Sequence, residues 1–362
     1  MRLPIALLAL LPAACSSQSP NTTSGTSAVP FAIHALPTDG RGVLVEIAQA
    51  DFDLHQGTGV SALAVSDNYL YLSVQWSGIY RMPKLGGVVT VLDEGPNATF
   101  LDLAANHQYV FWDRYTFDEQ DHPITQIRRQ AHTGGVASTV MEGAFGVPTS
   151  NIPPSHLQAT SSDLYLSDNP AGSDSVTVEH IPVSGGAPAT PVFSWNVATG
   201  WPHWAVDDLG LFMSISEQGP SSTTGCKLWT FEGAEPAQRE LAPCPEPNSQ
   251  LVALDGDSLF FTSAHSAWKM PRTGGAPVAI ATTGDAQYLG WNLVVDQANA
   301  YFTLGDEGIV WVPKTGGAIT KLIDGSELPG GVSAFAQDNQ YLYVLCGYRQ
   351  VVVVPKPRSN PS

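Results

Sequence analysis

The chain has 362 residues with 43% hydrophobic content, enough to bury a large core without metals or cross-links, which excludes disorder of the whole chain. Its 34 Gly and 28 Pro, with no long run of helical periodicity, describe an all-β composition of short strands and tight turns that one domain can accommodate. Thirty-three acidic against 16 basic residues give a formal charge of −17, which excludes nucleic acid as a partner because affinity for phosphates rests on Lys and Arg.

The chain opens on Met1-Arg2, an apolar run from Leu3 to Leu11, and Pro12-Ala13-Ala14-Cys15. The run falls far short of the roughly 20 residues a bilayer span requires, so it reads as an export signal. Cys15 after two alanines resembles a lipoprotein lipidation site. Pro12 stands where that motif prefers an aliphatic residue, and ordinary signal cleavage is the alternative. Residues 16–37, rich in Ser, Thr, Asn and Pro, read as a flexible tether ahead of a folded body over 38–358 and a tail over 359–362. The expected location is the cell envelope, either anchored to the membrane through Cys15 or secreted into the periplasm.

Seven aromatic or apolar strands follow: Tyr69 to Ser73, Tyr109 to Asp113, Leu164 to Ser167, Leu211 to Ser214, Leu259 to Thr262, Ala300 to Leu304 and Tyr341 to Leu345. Before each comes a small apolar strand and a turn, as in Leu63-Ala64-Val65-Ser66-Asp67-Asn68. After most comes a strand that ends in a paired turn: Ile79 to Gly87, Ile127 to Gly135, His180 to Gly186, Trp268 to Gly275 and Ile309 to Gly317. The Gly-Gly pair supplies the positive φ angles of a tight hairpin, and one further strand follows. Each unit of about 40 to 54 residues is thus four antiparallel strands that cannot bury both faces alone, and the units stack radially as blades. The fourth unit is the most degenerate, with Gly233-Ala234 in place of Gly-Gly.

The last unit stops after its third strand, Val351 to Val354, while a solitary strand, Gly42 to Ala48, precedes the first. The expected fold is an all-β, seven-bladed β-propeller closed by pairing the N-terminal strand with the last blade, which removes both exposed sheet edges. Cys226 and Cys244 flank a hairpin centred near Glu235, a placement that suits a disulfide in an oxidising compartment. Cys346 has no evident partner and reads as a small apolar core residue.

Across residues 42–356 the repeats resemble bacterial propellers of the broad YWTD-like and TolB-like group, whose blades read Tyr-Phe/Trp-Thr and then Val-Pro-Lys-x-Gly-Gly. Tyr301-Phe302-Thr303 with Val312-Pro313-Lys314-Thr315-Gly316-Gly317 is the clearest instance. The resemblance implies architecture and no catalytic residue.

Function is expected where loops lengthen on a rigid scaffold. Those are Arg114 to Thr125, Asn169 to Ser175, Glu217 to Gly225, Glu142 to Ser155 and Trp195 to Pro202, all in blades two to four and on the face opposite the Gly-Gly turns. Stacking the repeats places Asp102, His156 and His203 at the opening of three successive innermost strands. Two imidazoles and a carboxylate suit a divalent metal, or an acid/base pair with an orienting group. The plainer reading is ordinary rim residues holding water. Trp201 and Trp204, with Trp195, Tyr115 and Phe117, are candidate stacking residues beside Asp118, Glu119, Asp121 and His122; the alternative is packing between blades. The turn residues Asp67, Asp163, Asp208, Asp255, Asp296 and Asp338 read as turn formers. No P-loop, GxGxxG after a strand, GxSxG or HExxH occurs.

Two functions are therefore expected from the sequence. The first is a non-catalytic envelope scaffold that presents blades two to four to a protein, glycan or small ligand. The second is a metal-assisted lyase or hydrolase using Asp102, His156 and His203 with a divalent cation.

Overall fold

The computed structural model describes residues 31–34, 41–47, 59–95, 98–120, 122–143, 157–168, 175–196, 202–216, 226–232, 237–246, 250–284, 289–328 and 330–357. The aromatic strand of each repeat is the second of four, and its alternating side chains face the two neighbouring repeats. Blade 1 comprises Val60–Val65, Tyr69–Val74, Gly78–Pro83 and Thr90–Glu94, each antiparallel to the next. Six sheets of this order follow one another, and the innermost strand of each touches that of the next all the way round. The molecule is a seven-bladed β-propeller.

Its ring closes as the missing strand predicts. Gly42–Ile47 pairs antiparallel with Gln350–Pro355 and supplies the fourth strand of blade 7. Register shows that it is a true blade strand. Third-to-fourth pairs carry a one-residue shift, between Ile79 and Tyr80 in blade 1 and between Ile309 and Val310 in blade 6. The closing pair carries its own between Val43 and Val45. Such bulges increase strand twist, so the outer strand of every blade turns away in the same manner. One feature differs from expectation. Phe31–Ile33, inside the stretch read as tether, forms a short strand on the outer side of Gly42–Ile47. It occupies backbone groups that the closing strand would otherwise leave as an open edge.

The core is divided into seven wedges, one in each seam between blades. Leu44, Leu72, Tyr343 and Val353 share the seam that joins blade 7 to blade 1, whereas Tyr71, Phe100, Val110 and Trp112 fill the next one. Tyr71, Trp112, Tyr301 and Tyr343 are among the largest fully buried side chains, which explains why the second strand is aromatic.

The Pro-Lys-x-Gly-Gly step acquires a physical meaning on the Gly-Gly face. The Gly86 and Gly316 N–H groups close the turn onto Pro83 and Pro313 carbonyls, and Gly86 and Gly316 adopt φ of 99° and 88°. The residue after the proline then reaches back to the preceding blade. Lys84 Nζ donates to Asp338 Oδ2 at 2.6 Å, Lys356 Nζ lies 3.2 Å from Asp296 Oδ2, and Lys314 meets Asp255. Arg272 grips Asp207 with both terminal nitrogens, Nη1 to Oδ1 at 2.7 Å. Each of these aspartates opens the turn between the first and second strands of its blade. In Asp296 and Asp338 the carboxylate also accepts two backbone N–H groups and a tyrosine hydroxyl, from Tyr301 at 2.8 Å and Tyr343 at 3.1 Å. The turn-forming aspartates are therefore also clamps between blades.

At the other seams neither of these two positions holds an Asp, Glu, Lys or Arg. The residues at those positions are Ser66 with His132, Asn106 with Val183, and Thr160 with Gly233, the last lying outside the described residues. Hydrogen bonds take over there: between Tyr71 Oη and His132 Nδ1 at 2.7 Å, from Asn106 Nδ2 to Thr160 O at 2.8 Å, and from Ser161 N to Asp208 Oδ1 at 2.7 Å.

Candidate functional site

The face opposite the Gly-Gly turns carries the departures from the repeat, and blade 2 shows the first. Its second and third strands, Tyr109–Phe117 and Pro123–Ala131, run on as a paired hairpin to Phe117 opposite Pro123. The stretch expected as a loop from Arg114 to Thr125 is thus mostly sheet. Alternation explains it: Tyr115 and Thr125, directly opposite each other, are buried while their neighbours are not. At the tip, the backbone N–H of His122, with that of Gln120 and the His122 ring, holds the Asp118 carboxyl below the usual range.

A cluster of carboxylates lies below this hairpin, in the seam between blades 2 and 3. Asp113 and Tyr115 share the face of Phe111, which belongs to that seam's apolar core. Asp168 and Glu179 share the face of Leu166, which meets it from blade 3. Asp113 Oδ1 accepts the N–H groups of Leu101 at 2.8 Å and Asp102 at 3.0 Å. Burial pushes the Tyr115 hydroxyl far up, and the charges of Asp113, Asp102 and Asp168 add to it. The Glu179 carboxyl is raised by burial and then by the Asp168 charge. The signal for this cluster was Asp113, standing where other blades place Ser73, Ser167, Ser214, Thr262 or Thr303.

The residues singled out from sequence separate. Asp102 is buried, and its carboxylate ties two innermost strands together: Oδ1 accepts Leu103 N–H at 2.8 Å and Oδ2 accepts Leu157 N–H at 2.9 Å. His203 lies opposite Ser214 on the face of Phe212, which packs toward blade 5, and burial lowers its imidazole to about 4. Asp102 and His203 therefore serve different seams. The geometric reason is that side chains of an innermost strand point sideways to the adjoining blades, and the strand's edge faces the axis. Among the described residues, no group of three or more His, Cys, Asp or Glu is placed to hold a metal ion.

Trp204 lies opposite Met213 and is buried with Val178, Leu211 and Phe231 between blades 3 and 4, so its ring packs a seam and is not offered at the rim. Trp195 and Tyr115 are buried likewise, whereas Phe117 is exposed. His156, Trp201 and Cys15 lie outside the described residues.

Cys226 and Cys244 form a disulfide with Cα atoms 5.0 Å apart, and Cys244 N–H donates to Cys226 O at 2.8 Å beside it. Cys346 is buried, and burial pushes its thiol up to about 12, which leaves it protonated and unreactive. Below the disulfide, Glu246 accepts hydrogen bonds from Ser263 and Ser266 of blade 5 and fastens blade 4 to it.

Solved structures share this architecture. The β-propeller domain of the Trilobed protease from Pyrococcus furiosus, described as an open velcro topology, aligns with a TM-score of 0.59 at 11% identity, covering 83% of this chain and 96% of that one. A chain of the mitotic checkpoint complex aligns at 0.59 and 11% identity, covering 93% and 100%. BamB from Moraxella catarrhalis aligns at 0.48 and 13% identity, covering 82% and 85%. At these identities the likeness establishes the fold alone. No protein-family model matches the chain, and no curated protein matches it.

Proposed function

We propose that this propeller is a non-catalytic scaffold of the cell envelope that presents the elaborated face of blades 2 to 4 to a protein partner. The observation that carries the reading is the contrast between the two faces of those blades. In blades 2 and 3 the Gly-Gly turns keep the repeat's geometry, while the opposite end gains an extended hairpin in blade 2 and a buried carboxylate cluster in the seam between the two that has no counterpart among the described residues of the other blades. Elaboration confined to one end of a rigid scaffold is the usual signature of recognition. Envelope location rests on the Met1-to-Cys15 pattern, with Cys15 as the proposed lipidation point. No helix among the described residues is long and apolar enough to cross a membrane.

The test is site-directed photo-crosslinking in intact cells. A photoreactive residue replaces Asn196, which is exposed at the mouth end of the outer strand of blade 3, or Val278, which is exposed beside a Gly-Gly turn of blade 5. The expected result is a discrete protein adduct from position 196 and none from 278. Equal labelling at both positions, or no adduct at 196, would reject the reading.

A further inference from the structure

The same end of the ring bears a second feature, which runs from blade 7 through blade 1 to the hairpin of blade 2. Exposed aromatic side chains recur where the second strand passes into the third: Tyr348 in the turn of blade 7 at 53% exposure, Trp76 in the turn of blade 1 at 49%, and Phe117 at the end of the longer second strand of blade 2 at 57%. The other exposed large hydrophobic residues described, such as Leu85, Val136 and Val278, are aliphatic and lie elsewhere. Exposed aromatics on three successive blades are not what solubility would select.

Two of the three are also held in a conformation that bulky residues avoid. Trp76 has φ of 64° and Tyr348 has φ of 59°, in the left-handed region that favours Gly or Asn. Such outliers persist where the surroundings over-determine them, and they gather at sites of recognition. The surroundings here are rigid. Val60 N–H donates to Tyr348 O at 2.8 Å and Gln75 N–H donates to Gly59 O at 3.0 Å, so both turns are fastened to the adjacent residues Gly59 and Val60. The Ser77 and Tyr80 hydroxyls, 2.6 Å apart, brace the first turn from below.

Carboxylates flank each ring. Glu94 is exposed and lies opposite Gly78, two residues after Trp76; Glu46 lies opposite Gln350, two residues after Tyr348; Asp118 and Glu119 follow Phe117 directly. Arg349, beside Tyr348, is half-buried, and its N–H closes that turn onto Cys346 O. Many of the chain's basic groups are spent elsewhere. Lys84, Arg272, Lys314 and Lys356 are held in ion pairs between blades, and Arg81 and Arg129 reach backbone carbonyls of the following blade. The chain as a whole carries a net charge of −17, which attracts a basic partner at long range.

We propose that Tyr348, Trp76 and Phe117, with Glu46, Glu94 and Asp118, form a docking arc for a basic, extended segment of a partner protein. Lys and Arg heads would stack on the rings while the carboxylates pair with neighbouring charges. The arc shares the blade 2 hairpin with the reading for blades 2 to 4 and rests on it in that part, whereas Trp76 and Tyr348 lie on blades 1 and 7; no Lys-peptide binding with the adduct at position 196 intact would reject the arc alone.

Isothermal titration of the purified chain with acetyl-Gly-Lys-Gly-Lys-Gly-Lys-amide tests it, against the matching Glu peptide and a neutral N-acetylglucosamine tetramer. The Lys peptide is expected to bind, more weakly as salt rises, and the Glu peptide not to bind. The triple variant Trp76→Asn, Tyr348→Asn, Phe117→Thr keeps the charge, and Asn tolerates the positive φ. It should weaken binding about tenfold or more with an unchanged or higher Tm. Glu94→Gln should weaken binding by a smaller factor. Undiminished binding by the triple variant would overturn the proposal, since attraction would then be to net charge alone. Failure of the Lys peptide to bind overturns it too, and sugar binding lost in the triple variant would reassign the arc to glycans.

Discussion

Four seams, from blade 4 round through blades 5, 6 and 7 to blade 1, are joined by partly buried acid–base pairs on the Gly-Gly face, whereas the seams from blade 1 to blade 4 carry no such pair there and the one between blades 2 and 3 gathers carboxylates at the other end. The exchange is concerted. Where the turn opens with Asp207, Asp255, Asp296 or Asp338, the next blade offers Arg272, Lys314, Lys356 or Lys84; where it opens with Ser66, Asn106 or Thr160, the next blade offers no Lys or Arg. Each pair behaves as one unit because a half-buried charge without its partner costs more than two neutral groups do. One sector is therefore built for rigidity, and the other is relieved of it where recognition is proposed.

The sharpest way to break the comparison is to remove one member of a clamp. Lys356 is 3% exposed, so Lys356→Met should destabilise by about 3 kcal/mol in denaturant unfolding, and adding Asp296→Asn should restore most of it. Burial opposes ionisation of Asp296 and Asp338, yet the hydrogen bonds and the lysine charges prevail and hold both carboxyls below their usual value. Their folded pKa is depressed. The stabilisation is thus complete above about pH 4, the unfolded carboxyl value, and is lost as pH falls through the folded one. Acid should loosen this sector, which hydrogen exchange at Tyr301 and Tyr343 would report.

Reduction of Cys226–Cys244, which closes 18 residues of blade 4, should cost about 3 kcal/mol in the same assay. A smaller effect tests whether the clamp can be transplanted. Asn106→Asp should cost about 1 to 2 kcal/mol, because the donor to Thr160 O becomes an acceptor, and Val183→Lys should recover it. The smallest concerns the carboxylate cluster between blades 2 and 3. Glu179→Gln should raise Tm at pH 7, with the gain shrinking toward pH 4. Its folded pKa is raised, so the ionised form is the costly one and protonation relieves it.

The repeat and its closure were legible because they are local. Alternating aromatic strands, Gly-Gly turns and a last unit lacking its fourth strand can all be seen within a few dozen residues. The clamps were written in the sequence as well, but across repeats: Lys84 and Asp338 are 254 positions apart, and only a ring brings them together. Asp102 sits immediately before the innermost strand Leu103–Ala105, and its role is not legible in the sequence, because nothing local says that its side chain turns sideways to Leu157 N–H. Trp204 and Phe117 are equally aromatic in the sequence. One fills a seam and the other meets solvent, a difference set by strand register that residue type does not carry. The hairpin through Tyr115 was hidden by Asp118, Glu119 and Gln120, whose turn chemistry masked the sheet on either side.

The closing strand also dictates a timetable. Glu46 finds its partner Gln350 only after 304 further positions have been made, so the earliest strand of the body must wait for the latest. Until then the growing chain carries an unmatched strand at each end, each able to capture a neighbour. Ring closure is accordingly the last step of maturation and a slow one, given the sequence distance its contacts span. The body cannot lock into a ring until its final strand has arrived.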